Sequence, residues 1–197
     1  MFELAAMDPA PVLLLGRPCY LGVTDPLCAP EWWTFFRYSE TVVASMNSVL
    51  ERQRQHFESL ALIGYSGGGT LAMLLASRRT DVSSLVTLAG NLDTDAWTQY
   101  HHYTRLTGSL NPALQAPLPV SVKQYHLLGE RDENVTRAMI EPVITAQGGA
   151  ELRVLPGYDH SCCWHELWPQ FLVELATVAA TRPEVGRRGP PAGGGQP

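Results

Sequence analysis

The chain has 197 residues, 45% of them apolar, and a net charge of −5 at neutral pH. That is enough apolar chain for one compact domain with a sizeable core, and the acidic balance argues against broad contact with nucleic acid or an anionic membrane. No apolar run approaches the ~20 residues of a membrane-spanning helix.

Taken in chain order, residues 1–7 read as the end of a helix that Asp8-Pro9 breaks, and the apolar run 12–15 reads as a strand. Met1 is not followed by the basic, apolar and small-residue regions of a secretory leader. Cys19 and Cys28 flank the loop 20–27, which a disulfide could close if their Cα atoms approach within about 7 Å. Two reduced thiols are the alternative. A bonded pair would suit an oxidising compartment, so a periplasmic or secreted location is expected if the complete chain carries a leader, and a cytoplasmic one as written. A helix over 40–57 follows, with Ser39 as its N-cap.

Residues 64–68 read Gly-Tyr-Ser-Gly-Gly, a GxSxG pentapeptide between the apolar run 60–63 and the helix-forming run 70–76. This is the pattern of a strained strand-to-helix turn that lifts one hydroxyl, here that of Ser66, clear of a sheet. A residue at such a tip is forced toward positive φ, and its neighbours must carry almost no bulk; Gly64, Gly67 and Gly68 meet that need. The turn also aims the N–H of Gly67 at the position where a tetrahedral oxyanion would form.

A serine hydroxyl is a poor nucleophile near neutrality, so it needs a histidine base and a carboxylate to orient that base. Residues 120–128 read as a strand, Gly129-Glu130-Arg131-Asp132 as the loop at its end and 134–146 as a helix, which makes Asp132 the candidate acid. Asp132 also suits an N-cap for that helix, and Asp93 and Asp95, after the strand 85–89, are the next candidates. The short strand 152–155 ends in Pro156-Gly157-Tyr158-Asp159-His160, which makes His160 the candidate base. His126 falls within a strand, His56 and His165 within or beside helices, and the adjacent pair His101 and His102 within a detour over 93–119 that also holds Trp97, Tyr100 and Tyr103. These histidines have no metal-ligand spacing, and Cys162 and Cys163 read as packing for the loop of His160. Residues 164–180 carry Leu167, Trp168, Phe171, Leu172, Leu175 and Val178 at helical spacing. The Gly/Pro-rich segment 182–197 is expected to be a disordered tail.

The elbow and the chain order Ser66, Asp132, His160 resemble the α/β-hydrolase superfamily over residues 9–180. More narrowly, Arg17-Pro18-Cys19, Cys28, Trp33, Arg37-Tyr38-Ser39, Ala89-Gly90-Asn91-Leu92-Asp93 and Tyr158-Asp159-His160 with Cys162-Cys163-Trp164 resemble a bacterial group of uncharacterised hydrolases. The resemblance implies an α/β fold, a mostly parallel sheet flanked by helices, with a domain over 1–181 and a cap-like excursion over 93–119. It gives no substrate.

One departure from the family pattern stands out. Only one helix separates the strand at 12–15 from the elbow strand, so 12–15 is read as the family's fourth strand, with the third as the alternative. On the first assignment the third strand and the loop giving a second oxyanion N–H are missing, and the first strands of the fold lie in an expected amino-terminal extension. On the second, the N–H of Arg17 or Cys19 completes the oxyanion hole, since Pro18 has none.

The expected function is therefore a serine hydrolase acting on a small ester or thioester through an acyl-enzyme. Ser66, Asp132 and His160 are its catalytic residues and Gly67 its oxyanion donor, with no cofactor and no metal. Amidases, peptidases and acyl transferases share the elbow. The alternative is a non-catalytic hydrolase-fold fragment lacking half of its oxyanion hole. The oligomeric state is open.

Overall fold

A computed structural model describes residues 1–20, 22 and 25–180, with side chains as far as residue 176. The tail expected over 182–197 lies outside the described residues.

Four strands form one parallel sheet in sequential order: β1 (Leu60–Tyr65), β2 (Val82–Leu88), β3 (Lys123–Gly129) and β4 (Glu151–Leu155). The register brings their carboxyl ends level, Tyr65 opposite Leu88, Leu88 opposite Leu127 and Gly129 opposite Leu155. Every loop that leaves those ends therefore starts from one rim.

Successive side chains on a strand point to opposite faces, and the two faces have separate cores. Leu85 and Leu128 pack with Ala72, Met73, Ile140, Val143 and Ile144, from α3 (Gly67–Ala76) and α5 (Arg137–Ala146). Val86, Leu88 and Leu127 pack on the other face with Trp164, Trp168, Phe171 and Leu4, from α6 (Trp164–Ala180) and α1 (Phe2–Met7). Burial on both faces is what a parallel sheet requires. Helix α3 is apolar all round and buried from Gly69 to Ala76, because α2 (Glu40–Gln53) covers its outer side through Val42, Val43, Met46 and Leu50. Ser39 caps α2 by accepting the Val42 N–H at 3.3 Å.

The strand expected at 12–15 does not form. Its backbone is irregular, Val12, Leu13 and Leu14 are each 47% exposed, and Leu15 alone leans on the α2–α3 core. Pro9, Pro11 and Pro18 bracket the run and deny it donors for extending a ladder beyond its ends. Both the fourth-strand and the third-strand assignments therefore fail, and with them the reason for placing the Arg17 or Cys19 N–H at the site. Among the described residues, β1 has a strand on one side only.

Cys19 and Cys28 are joined, with Cα atoms 5.5 Å apart. Cys162 and Cys163, adjacent in the chain, form a second pair. The excursion after β2 holds α4 (Thr94–Tyr100) and a 3₁₀ turn at Pro112–Leu114. Among the described residues, no helix is long and apolar enough to cross a membrane.

Candidate active site

The elbow is built by close approach of backbone. Ser66 sits at φ 51, ψ −120 between the last residue of β1 and the first of α3, a conformation that non-glycine residues hold only when their surroundings enforce it. The end of β2 does so: Ser66 donates its N–H to the Leu88 carbonyl at 2.9 Å, and its own carbonyl accepts from the Asn91 N–H at 3.1 Å and the Gly69 N–H at 2.9 Å. A Cβ on Gly64 would fall on the carbonyl of Gly68, so the strand and the helix meet only because residue 64 has no side chain.

The other two candidates arrive from the same rim. Asp132 lies three residues beyond β3 and His160 five beyond β4. The His160 Nε2 is 3.0 Å from the Ser66 Oγ, and its Nδ1 is 2.9 Å from the Asp132 Oδ2. Asp132 has no exposed side-chain surface and His160 about one fifth. Helix α5 starts at Arg137 rather than 134, because the Asp132 Oδ1 accepts the N–H groups of Asn134 at 2.9 Å and Val135 at 2.8 Å and holds that stretch in a turn. One carboxylate oxygen of Asp132 thus holds the turn and the other faces the imidazole, while the residue at the N-cap of α5 is Thr136. Tyr65, whose hydroxyl burial pushes up from its ordinary value, has its ring centroid 5.3 Å from that of His160.

The competing acids are engaged elsewhere. Asp93 caps α4, accepting from Asp95 N–H at 3.0 Å and Ala96 N–H at 3.1 Å. Asp95 is held bidentate by Arg105 at 2.7 and 2.6 Å, which keeps its carboxyl below the usual carboxylate range. His126 is fully buried under the elbow helix, sharing a 2.8 Å hydrogen bond with the Thr87 hydroxyl, and that burial pulls it down to about 4.

Sequence reasoning missed Asn134. Its Nδ2 lies 2.9 Å from the His160 Nε2, its Oδ1 3.1 Å from the Trp97 Nε1, and its carbonyl oxygen 2.8 Å from the His101 Nε2. An indole N–H only donates, so Oδ1 faces Trp97 and the amide NH₂ is left to donate to His160. The Nε2 is then an acceptor without a proton, and the ring proton sits on Nδ1 against Asp132, the tautomer in which Nε2 can take a proton from Ser66. No local motif announces this residue; the only hint was aromatic side chains in a detour that returns to the rim. His101 stacks on Tyr103 with centroids 5.3 Å apart. A cavity of about 370 Å³ in the excursion, between Leu106, Leu110 and Leu114, holds none of Ser66, Asp132 and His160.

No family model matches the sequence, and no curated protein matches it. Solved structures do match the fold. An esterase from Pyrococcus furiosus superposes with a TM-score of 0.57 at 12% identity over 72% of this chain and 62% of its own. An α/β hydrolase from the metagenome of lagoon sediments at Mar Chica, Morocco, gives 0.53 at 18% identity over 75% and 74%. A puromycin hydrolase gives 0.56 at 19% identity over 74% of this chain but 26% of its own. The chain thus spans less than two thirds of the Pyrococcus esterase. It has the α/β-hydrolase fold.

Proposed function

We propose that this protein is a serine hydrolase that cleaves a carboxylic ester or thioester through an acyl-enzyme. The reading rests on the unbroken chain of hydrogen bonds from the Ser66 hydroxyl through His160 to Asp132, at 3.0 and 2.9 Å. Ser66 Oγ adds to the substrate carbonyl carbon while its proton passes to the His160 Nε2, and the carbonyl electron pair moves onto oxygen. Asp132 keeps the imidazole in its tautomer and balances the imidazolium that forms. The Gly67 N–H, at the amino end of α3, donates to the oxyanion. Collapse expels the alcohol or thiol with the proton returned by His160, and water repeats the sequence on the acyl group.

A second reading, a hydrolase fold that binds a ligand without turnover, draws on the one-sided pairing of β1. A fluorophosphonate probe separates the two. Labelling of the wild-type chain and not of Ser66→Ala is expected; absence of labelling in a chain shown by circular dichroism to be folded would favour the second.

A further inference from the structure

An oxyanion is held well by two donors, and the elbow offers one. Beside the Gly67 that carries it stands the hydroxyl of Tyr38. A Cβ added to Gly67 would fall on the Tyr38 hydroxyl, so that hydroxyl fills the space where every other residue type would carry its side chain. Gly68, by contrast, has open space around a Cβ. Nothing around residue 68 requires a glycine, whereas glycine at 67 makes room for Tyr38.

The rest of Tyr38 is fixed. Its residue is 5% exposed, with the ring in the α2–α3 core among Val42, Leu71 and Leu75. Its N–H donates to the Ser109 Oγ at 3.1 Å and its carbonyl accepts the Leu110 N–H at 3.0 Å, which ties it to the excursion on both sides. Ser109 in turn donates to the Phe35 carbonyl at 2.7 Å. The next residue, Ser39, caps α2. A phenol held this rigidly, with its O–H against the residue that carries the first donor, is the preorganised arrangement that oxyanion binding needs.

We propose that the Tyr38 hydroxyl is the second oxyanion donor, standing where a backbone N–H from a neighbouring loop would otherwise be needed; this rests on the serine-hydrolase reading above. In the addition step the Ser66 Oγ–C bond forms, the carbonyl π pair moves onto oxygen, and the Gly67 N–H and Tyr38 O–H both donate to that oxygen without transferring a proton. The serine proton goes to His160. On collapse the pair returns to the carbonyl and both hydrogen bonds weaken.

The test compares wild type, Ser66→Ala and Tyr38→Phe on p-nitrophenyl butyrate, with an alkyl boronic acid as the tetrahedral mimic. Phenylalanine keeps the ring in the core, and thermal melting checks that it does. The expected result is a kcat lower by about 10²–10³-fold for Tyr38→Phe, with KM within threefold and boronate affinity reduced in step with kcat. A role in packing alone would leave the ratio of boronate affinity to KM where it was. Should Tyr38→Phe melt early, Gly67→Ala gives the second measurement. Its Cβ displaces the hydroxyl, so it should lower boronate affinity in the Tyr38 chain and add less than threefold in the Tyr38→Phe chain. An active wild type whose Tyr38→Phe variant keeps kcat and boronate affinity within threefold overturns the assignment of Tyr38 alone. A folded wild type with neither turnover nor labelling overturns the hydrolase reading and this assignment together.

Discussion

Ser66 and Asn134 address the same nitrogen: the His160 Nε2 lies 3.0 Å from the serine hydroxyl and 2.9 Å from the asparagine amide. One lone pair faces two donors. The amide NH₂ donates to Nε2 from beside the serine hydroxyl, so on the serine-hydrolase proposal it borders the space that a leaving group or an attacking water would use. Trp97 and His101 hold Asn134 by its side chain and its carbonyl, so the excursion that borders the site also fixes the amide facing His160.

Asn134→Asp tests this arrangement with almost no change of shape. Trp97 keeps an acceptor, but the group facing Nε2 becomes a carboxylate oxygen, which would hold a proton on that nitrogen. Fluorophosphonate labelling is expected to slow by about 10²-fold while the melting temperature changes little. Equal labelling rates in the two chains would show that the amide does not govern the base.

Asp132 turns one oxygen to the backbone and the other to His160, and two substitutions separate the two contacts. Asp132→Asn keeps an acceptor for the Asn134 and Val135 N–H groups but presents NH₂ to His160, so labelling should fall by about 10⁴-fold with stability nearly retained. Asp132→Ala loses the turn as well and should unfold earlier, by about 1 kcal/mol. Denaturant titration of both variants beside their labelling rates reads the split; equal stabilities would mean the turn does not depend on the carboxylate.

The elbow glycines should respond unequally. A Cβ at Gly64 meets the backbone of Gly68, which cannot swing aside as a side chain can, so Gly64→Ala should lower stability by about 1–3 kcal/mol or more. Gly68→Ala places its methyl in open space inside a helix and should leave stability unchanged or slightly raised. Thermal melts of the pair decide it, and a stable Gly64→Ala chain would refute the close approach described for the elbow.

What could be read from the chain follows from how local each signal is. The elbow announces itself because strand, turn and helix lie within about seventeen consecutive residues, and Asp132 and His160 could be named because each closely follows a short apolar run. The run 12–15 misled because four apolar residues suit a strand or a strap equally, and only a partner for its backbone decides between them. Asn134 was invisible for a related reason: its amide acquires a direction only from Trp97, 37 positions away. Tyr38 appeared only within a family-like tripeptide, and its nearness to Gly67 is a property of how α2 packs on α3.

His126 makes the last prediction, one of stability against pH. Its ring is fully buried on the α3–α5 side of the sheet, the Thr87 hydroxyl takes one nitrogen, and the other has no partner among the described residues. Burial therefore holds it neutral, at about 4 against an ordinary 6.5. The unfolded chain binds a proton there at a higher pH than the folded chain does, so between those values the unfolded state carries more protons and stability rises with pH. The contribution is fully present above about pH 6.5 and is lost progressively as pH falls toward 4, amounting to about 3 kcal/mol across the window. The carboxylates held low by arginine, such as Glu40 with Arg78 and Asp81 with Arg79, lose their contribution nearer the ordinary carboxylate range, so the upper part of the fall belongs to histidine. Urea titrations of wild type and His126→Gln at half-unit intervals from pH 7 to 4.5 should show a decline in the first and a flatter line in the second. Parallel curves would mean that the ring is reached by water or finds a partner for its charged form.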